Sequence, residues 1–346
     1  MFRIIRFFLF ELIMLLLVIG GILFNDLVLY GIAQGKGQLR IVTNTRPVEE
    51  VMKDPSFPDS LKKKLMLIKE IKQFATDNLG LKPSDNYSTI YDQHGKPVLW
   101  TITASEPFHL KAKEWYFPLL GSVSYKGFFD HQKGLTEAAR LSAQGYDVDY
   151  GGVGGWSTLG WFKDPILSSM LTRNEGSIAN LIIHELTHGT IYLKSSVDYN
   201  ENLASFIGDK GAEQFLLHKY GQESNQYGEY EQSKADRKVF NEYVLHAAER
   251  LDSLYKTFPE GGSVMDKEIK KMALIETIID GTGTLNLYHK RNYKAYMEDA
   301  RQEKNAFFMS FRRYDSKYEV FEKEFKEQYQ SNIKLYLQAL VKREKK

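Results

Sequence analysis

A chain of 346 residues with 43% hydrophobic and 26% charged content can bury a sizeable core, enough for one large domain or two modest ones. Its formal net charge of +2 leaves no electrostatic footprint for a nucleic-acid partner, and the lysine-rich stretches at Lys62–Lys64 and Lys342–Lys346 read as solvated surface or tail. With no cysteine at all, disulfides, thiolate ligands, a thiol nucleophile and a cysteine-borne lipid anchor are excluded.

Phe7 to Phe24 form an apolar run interrupted only by Glu11, long enough as a helix to cover ~27 Å, close to the thickness of a bilayer core. Arg3 and Arg6 precede it, which orients the short N-terminus inward and the remainder of the chain outward, toward a bacterial periplasm or cell exterior. Residues 1–34 are therefore expected to be a membrane anchor. A cleaved signal peptide ending at Gly31-Ile32-Ala33 is the competing reading, weakened because the apolar run is longer than a signal core and Ala33 lies well beyond it.

Residues 35–346 are expected to form one catalytic domain, α/β to about residue 220 and helical from about 221 onward. Gly35-Lys36-Gly37 reads as a connector, Arg46-Pro47-Val48 as the opening of a helix, and Ser60 as the cap of a stronger helix over Leu61–Asn78 with Leu65, Ile68, Ile71 and Phe74 at helical spacing. From Tyr87 to Phe129, short β-favouring clusters between Gly, Pro and Asp breaks predict a small, mostly antiparallel sheet. His131–Gln144 returns to helix, and Asp147–Val153 reads as another strand. Asp164-Pro165 predicts the start of a short helix reaching Leu171. Long helical patterns follow over Ser224–Phe258, Met265–Ile279, Asn286–Phe311 and Ser316–Lys342. The fold class expected is α+β: a small sheet whose edge strand packs beside the two helices of the motif below, with a large helical C-terminal half.

The chemistry concentrates at His184-Glu185-Leu186-Thr187-His188, followed after eleven intervening residues by Asn200-Glu201-Asn202. On a helix running from about Ser177 to Leu193, His184 and His188 lie four apart on one face and can converge on one cation. A hydrolytic zinc site takes three protein ligands and keeps one position open, so a third ligand is required. Glu201 supplies it if the chain turns through Val197–Tyr199 and restarts a helix with Asp198 or Asn200 as N-cap. Glu185, one step round the helix from His184, can reach the attacking water without ligating, which suits a general base. Ser205, one turn beyond Glu201, could orient a ligating imidazole or be a plain helix hydroxyl.

These residues, with Gly145-Tyr146-Asp147-Val148, Ser157-Thr158-Leu159-Gly160-Trp161-Phe162 and Trp115-x-Phe117-Pro118, resemble the bacterial family of putative aminopeptidases with a gluzincin-type zinc site. The resemblance runs from about Tyr30 to the C-terminus. It departs from some relatives at Tyr116 and Ser122, where they carry cysteines. It implies a zinc-dependent peptidase holding one Zn²⁺ per chain through His184, His188 and Glu201, acting on a peptide substrate. Thr158, Leu159 and Gly160 are then placed to be an edge strand that binds substrate by backbone pairing, the alternative being an ordinary turn around two tryptophans. Among Tyr288, His289, Tyr293 and Tyr314 as oxyanion donors, Tyr314 is favoured because Asn305-Ala306 followed by Tyr314 resembles a C-terminal pattern of the family. The sequence lacks a Gly-x-Met-Glu-Asn segment of the kind that anchors a free amine, so exopeptidase action rests on the resemblance. The rival function is a membrane-tethered binding or scaffold protein whose zinc site is structural or vestigial; Glu185 argues against it, since a structural site has no use for an acid between its histidines.

Overall fold

The computed structural model describes residues 25–117, 121–153, 163–193, 196–315 and 318–344. The apolar run at 7–24 and the segment containing Thr158, Leu159 and Gly160 lie outside the described residues. Among those described, no helix is long and apolar enough to cross a membrane. The chain divides into two compact units, Met1–Thr45 and Arg46–Lys346.

Among the described residues of the first unit, one helix, α1 (Asn25–Thr43), runs straight through Gly35-Lys36-Gly37, so the expected connector is helical. Two glycines weaken a helix by about 1 kcal/mol each relative to alanine, which the surrounding helix-compatible residues tolerate. Its end is closed by side chains: Thr43 Oγ1 donates to the Leu39 carbonyl at 2.8 Å and Asn44 Nδ2 to that of Arg40 at 2.6 Å, satisfying carbonyls that a helix terminus leaves orphaned.

The second unit opens with β1 (Arg46–Pro47), α2 (Val48–Lys53) and α3 (Asp59–Asp77). Leu65, Ile68, Ile71 and Phe74 are all buried along one stripe of α3, as their spacing requires, and Pro58 rather than Ser60 stands at its N-cap. In place of one sheet, the described residues form three small ones. β2 (Thr89–Tyr91) pairs antiparallel with β1 and parallel with β8 (Ile166–Leu167). β3 (Trp100–Ser105) lies between β6 (Lys126–Phe128) and β7 (Asp147–Gly152), antiparallel to both. β4 (Trp115–Phe117) and β5 (Gly121–Val123) form a separate hairpin. The β3-centred sheet packs against α4 (His131–Ala143) and against a later helix, α11 (Asn305–Asp315).

The helix expected from Asp164-Pro165 is absent. Asp164 instead accepts the Tyr87 N–H at 2.6 Å through its carbonyl and the Asn86 amide at 3.2 Å through its carboxylate. That clasp delivers Ile166 and Leu167 to β2, and only Ser168–Thr172 coils, as a 3-10 turn. There follow α5 (Glu175–Thr190), α6 (Val197–Tyr220), α7 (Asn225–Lys256) and α8 (Val264–Gly281). Asn174, Ser224 and Ser263 cap α5, α7 and α8 by accepting backbone N–H groups. The remaining chain is more broken than its apolar pattern suggested: α9 (Lys290–Met297), α10 (Ala300–Glu303) and α11 are separated by short turns, with Lys304 at φ +51° between the last two. α12 (Tyr318–Tyr329) and α13 (Ile333–Glu344) are split where Gln330 and Ser331 adopt φ +50° and +59°.

A buried polar junction ties the helical half to the sheet. Lys271 on α8 is fully buried, its Nζ 2.8 and 3.0 Å from the two carboxylate oxygens of Asp147 on β7. The Asn305 N–H donates to the same carboxylate at 3.1 Å, its amide donates to the Glu106 and Pro107 carbonyls, and Tyr255 donates to its Oδ1 at 2.6 Å. Asp147 and Asn305, two residues of the resemblance, are thus joints of the scaffold.

Candidate metal centre

α5 presents Ile178, Ile182, Ile183 and Leu186 to the interior. Its neighbouring stripe carries His184 and His188, four residues apart and therefore on one face. α6 packs along α5 more extensively than any other pair of described elements, and two of its glycines permit the approach. A β-carbon on Gly208 would stand 3.0 Å from the Asn180 carbonyl oxygen and 3.3 Å from the His184 Cβ, and one on Gly211 2.8 Å from side-chain carbons of Ile183 and Leu79. Phe206 holds the opposite flank of α6 through ring contacts with Tyr318, Phe321, Phe325 and Tyr336 of the last two helices.

With the helices so placed, His184 Nε2 and His188 Nε2 lie 3.2 Å apart. The Glu201 carboxylate straddles them, one oxygen 3.5 Å from His184 Nε2 and the other 3.6 Å from His188 Nε2. These three residues could hold a metal ion. Donor atoms at the usual ~2.0–2.2 Å zinc–ligand lengths in a tetrahedron are separated by roughly 3.3–3.5 Å, and here one ligand atom from each of the three residues lies within 4.8 Å of the others. The side chains are 16%, 5% and 22% exposed, so the site is largely shielded.

Electrostatics point the same way. Burial alone would lower the affinity of His184 for a proton, but the hydrogen bond to Glu201 and the charges of Glu185, Glu201 and Asp209 raise its pKa. Burial would raise Glu201, and the two imidazoles overcome that and hold it well below the usual carboxylate range. The pocket is built to accept positive charge. Glu185 has its pKa raised, chiefly by burial, with the histidines opposing and Glu201 and Asp164 adding to the rise.

Surrounding groups hold this arrangement. Asp209 Oδ1 accepts from Asn180 Nδ2 at 2.6 Å, Tyr230 at 3.0 Å and Arg237 at 2.6 Å, locking α5, α6 and α7 one turn behind His184. The turn between the metal helices is tied by Asn200, whose amide meets the Leu193 peptide twice, at 2.8 Å each. Tyr192 lies with its ring edge-on to His188, centroids 6.1 Å apart. Sequence reasoning passed over it; it lies beyond the end of α5, after the extended Ile191. Tyr87 was also missed: its hydroxyl is buried without a partner among the described residues, and its backbone sits at φ +64°.

Of the oxyanion candidates, Tyr288 and His289 donate both backbone N–H groups to the buried Asp236 carboxylate, which His289 Nδ1 also meets, at 2.7–2.9 Å, and the Tyr288 side chain is exposed. Tyr293 packs on Phe240. Tyr314 belongs to the last turn of α11, and its side chain lies outside those described. Among the described residues no hydrogen bond joins Ser205 to either imidazole.

The profile of the family described as "Putative aminopeptidase" matches residues 29–345. The chain belongs to this family. No curated protein and no solved structure matches it. The family description names a peptide-bond hydrolase, and the metal-competent trio lies within the span shared with the aminopeptidase family.

Proposed function

We propose that this chain is a membrane-anchored, gluzincin-type zinc peptidase that removes N-terminal residues from peptides on the outer side of a bacterial membrane. The observation that carries the reading is the convergence of His184, His188 and Glu201: the two imidazole Nε2 atoms lie 3.2 Å apart, and each has a different Glu201 carboxylate oxygen 3.5 or 3.6 Å away, a close grouping of the kind a zinc site requires of its donors. Zinc, when bound there, supplies Lewis acidity toward the scissile carbonyl and acidifies water. Glu185 accepts the proton of the attacking water and returns it to the departing amine, so no net proton is consumed in the cycle. In this proposal Tyr314 donates to the developing oxyanion, and Thr158, Leu159 and Gly160 pair with the substrate backbone.

The aminopeptidase assignment is supported by the family description, and the anchor by the apolar run at Phe7–Phe24 behind Arg3 and Arg6. The test is metal analysis of the purified chain together with hydrolysis of matched free and N-acetylated peptides. One zinc per chain, lost in the His184→Ala and His188→Ala variants, and cleavage restricted to free N-termini are expected. Full zinc occupancy in the double histidine variant would remove the site, and equal cleavage of acetylated peptides would make the enzyme an endopeptidase.

A further inference from the structure

Glu201 is the ligand that the first metal helix does not place. His184 and His188 stand on α5, whereas Glu201 arrives after twelve intervening residues in the first turns of α6. That helix start is weakly secured by the ordinary device: Ser196 occupies the N-cap position and makes no side-chain capping bond.

Asn200 does the securing instead. Its Oδ1 accepts the Leu193 N–H at 2.8 Å and its Nδ2 donates to the Leu193 carbonyl at 2.8 Å, and the residue is only 3% exposed. An amide side chain that satisfies both polar groups of one residue fixes distance and rotation together, because its acceptor and donor are coplanar and cannot exchange roles. Leu193 is itself close to the end of α5, where the Ile191 N–H still donates to the Thr187 carbonyl at 2.9 Å. The residue next to Glu201 is therefore fastened to the chain three residues beyond the helix that carries both histidines. On the other side of Glu201, Asn202 is fully buried and donates to the Asp198 carbonyl at 2.7 Å, stiffening the same turn.

We propose that Asn200 is the positioning residue of the metal centre: its two-point clip on Leu193 sets where Glu201 stands relative to His184 and His188. This rests on the zinc reading above. Tyr192, whose ring stands edge-on to His188, immediately precedes the clipped residue. Aspartate at position 200 retains the acceptor half of the clip and loses the donor half. Alanine loses both.

The experiment compares wild type, Asn200→Asp, Asn200→Ala and a control, Val244→Ala, which trims a fully buried side chain in the helical core. Zinc affinity is read by competition with a chromophoric chelator, and thermal midpoints are recorded with and without zinc. Both Asn200 variants are expected to bind zinc about 10- to 100-fold more weakly, the usual effect of removing a group that orients a ligand, and to show a smaller zinc-dependent rise in midpoint. The control should lower both midpoints and keep the zinc-dependent rise. If Asn200→Ala does not fold, Asn200→Asp, which preserves volume, decides. Wild-type zinc affinity and an undiminished rise in Asn200→Asp overturn the proposal alone, whereas a wild type that takes up no zinc overturns the metal reading and this inference with it.

Discussion

Gly208 of α6 stands so close to His184 of α5 that a β-carbon placed on it would lie 3.3 Å from the histidine's own Cβ, and 3.0 Å from the Asn180 carbonyl oxygen. Backbone cannot yield to such a contact as a flexible side chain can. In an unconstrained helix, glycine to alanine gains up to about 1 kcal/mol. At Gly208 overpacking wins, and Gly208→Ala should cost about 1–3 kcal/mol while moving Glu201 away from the imidazoles and weakening zinc binding. Gly189, also helical but with nothing within 4 Å of its would-be β-carbon, is the contrast: its alanine variant should be at least as stable as wild type in urea unfolding. Equal stabilities of the two variants would mean that the helices are not in the contact described.

The metal-ligand spacing was legible because it depends only on helical periodicity: two histidines four apart share a face wherever the helix lies. Helix existence was legible for the same reason, as in α3, whose buried stripe is the one its sequence spells. What sequence could not supply were relationships set by tertiary contact. Asp164-Pro165 carries a local helix-start signal, yet Asn86 and Tyr87 draw Asp164 into a clasp and send Ile166-Leu167 into a strand. Asn305 looked like a marker near a catalytic tyrosine, whereas its hydrogen bonds make it a joint between β7, α7 and α11. The Asn200 clip joins groups seven residues apart across a turn, and no periodicity announces it. Tyr192 lies past the end of α5, so helical periodicity does not place it beside His188.

The Lys271–Asp147 pair makes a prediction of its own. Removing one partner from a buried, hydrogen-bonded ion pair leaves the other charge without compensation, at a cost of about 3–5 kcal/mol. Lys271→Met should show that loss in urea unfolding. Adding Asp147→Asn should recover part of it, since the asparagine can still meet the Asn305 N–H without a stranded charge. A Lys271→Met variant as stable as wild type would show that the pair does not hold the helical half to the sheet.

Glu303 gives a pH signature. Burial, with Asp149 on β7 and Asp299 before α10 adding repulsion, raises its pKa from 4.5 to about 8. A carboxyl whose folded pKa lies above its unfolded one contributes most below the unfolded value and loses that contribution as pH rises through the folded one. Wild-type stability should therefore carry a declining component between about pH 4.5 and about 8. Glu303→Gln, which cannot ionise, should lack that component and gain relative stability toward pH 8 and above. Parallel pH profiles for the two proteins would place Glu303 in a more solvated setting.

The account turns on Glu185 doing chemistry beside a cation that it does not hold. Glutamine at this position keeps the volume and forfeits the proton acceptor. The decisive measurement is the turnover of a free peptide by wild type and Glu185→Gln at matched, verified zinc occupancy. The account predicts equal zinc content, equal thermal midpoints and a loss of turnover of at least about 100-fold, the lower range for a positioned general base. Turnover near wild type in the zinc-loaded glutamine variant would contradict it.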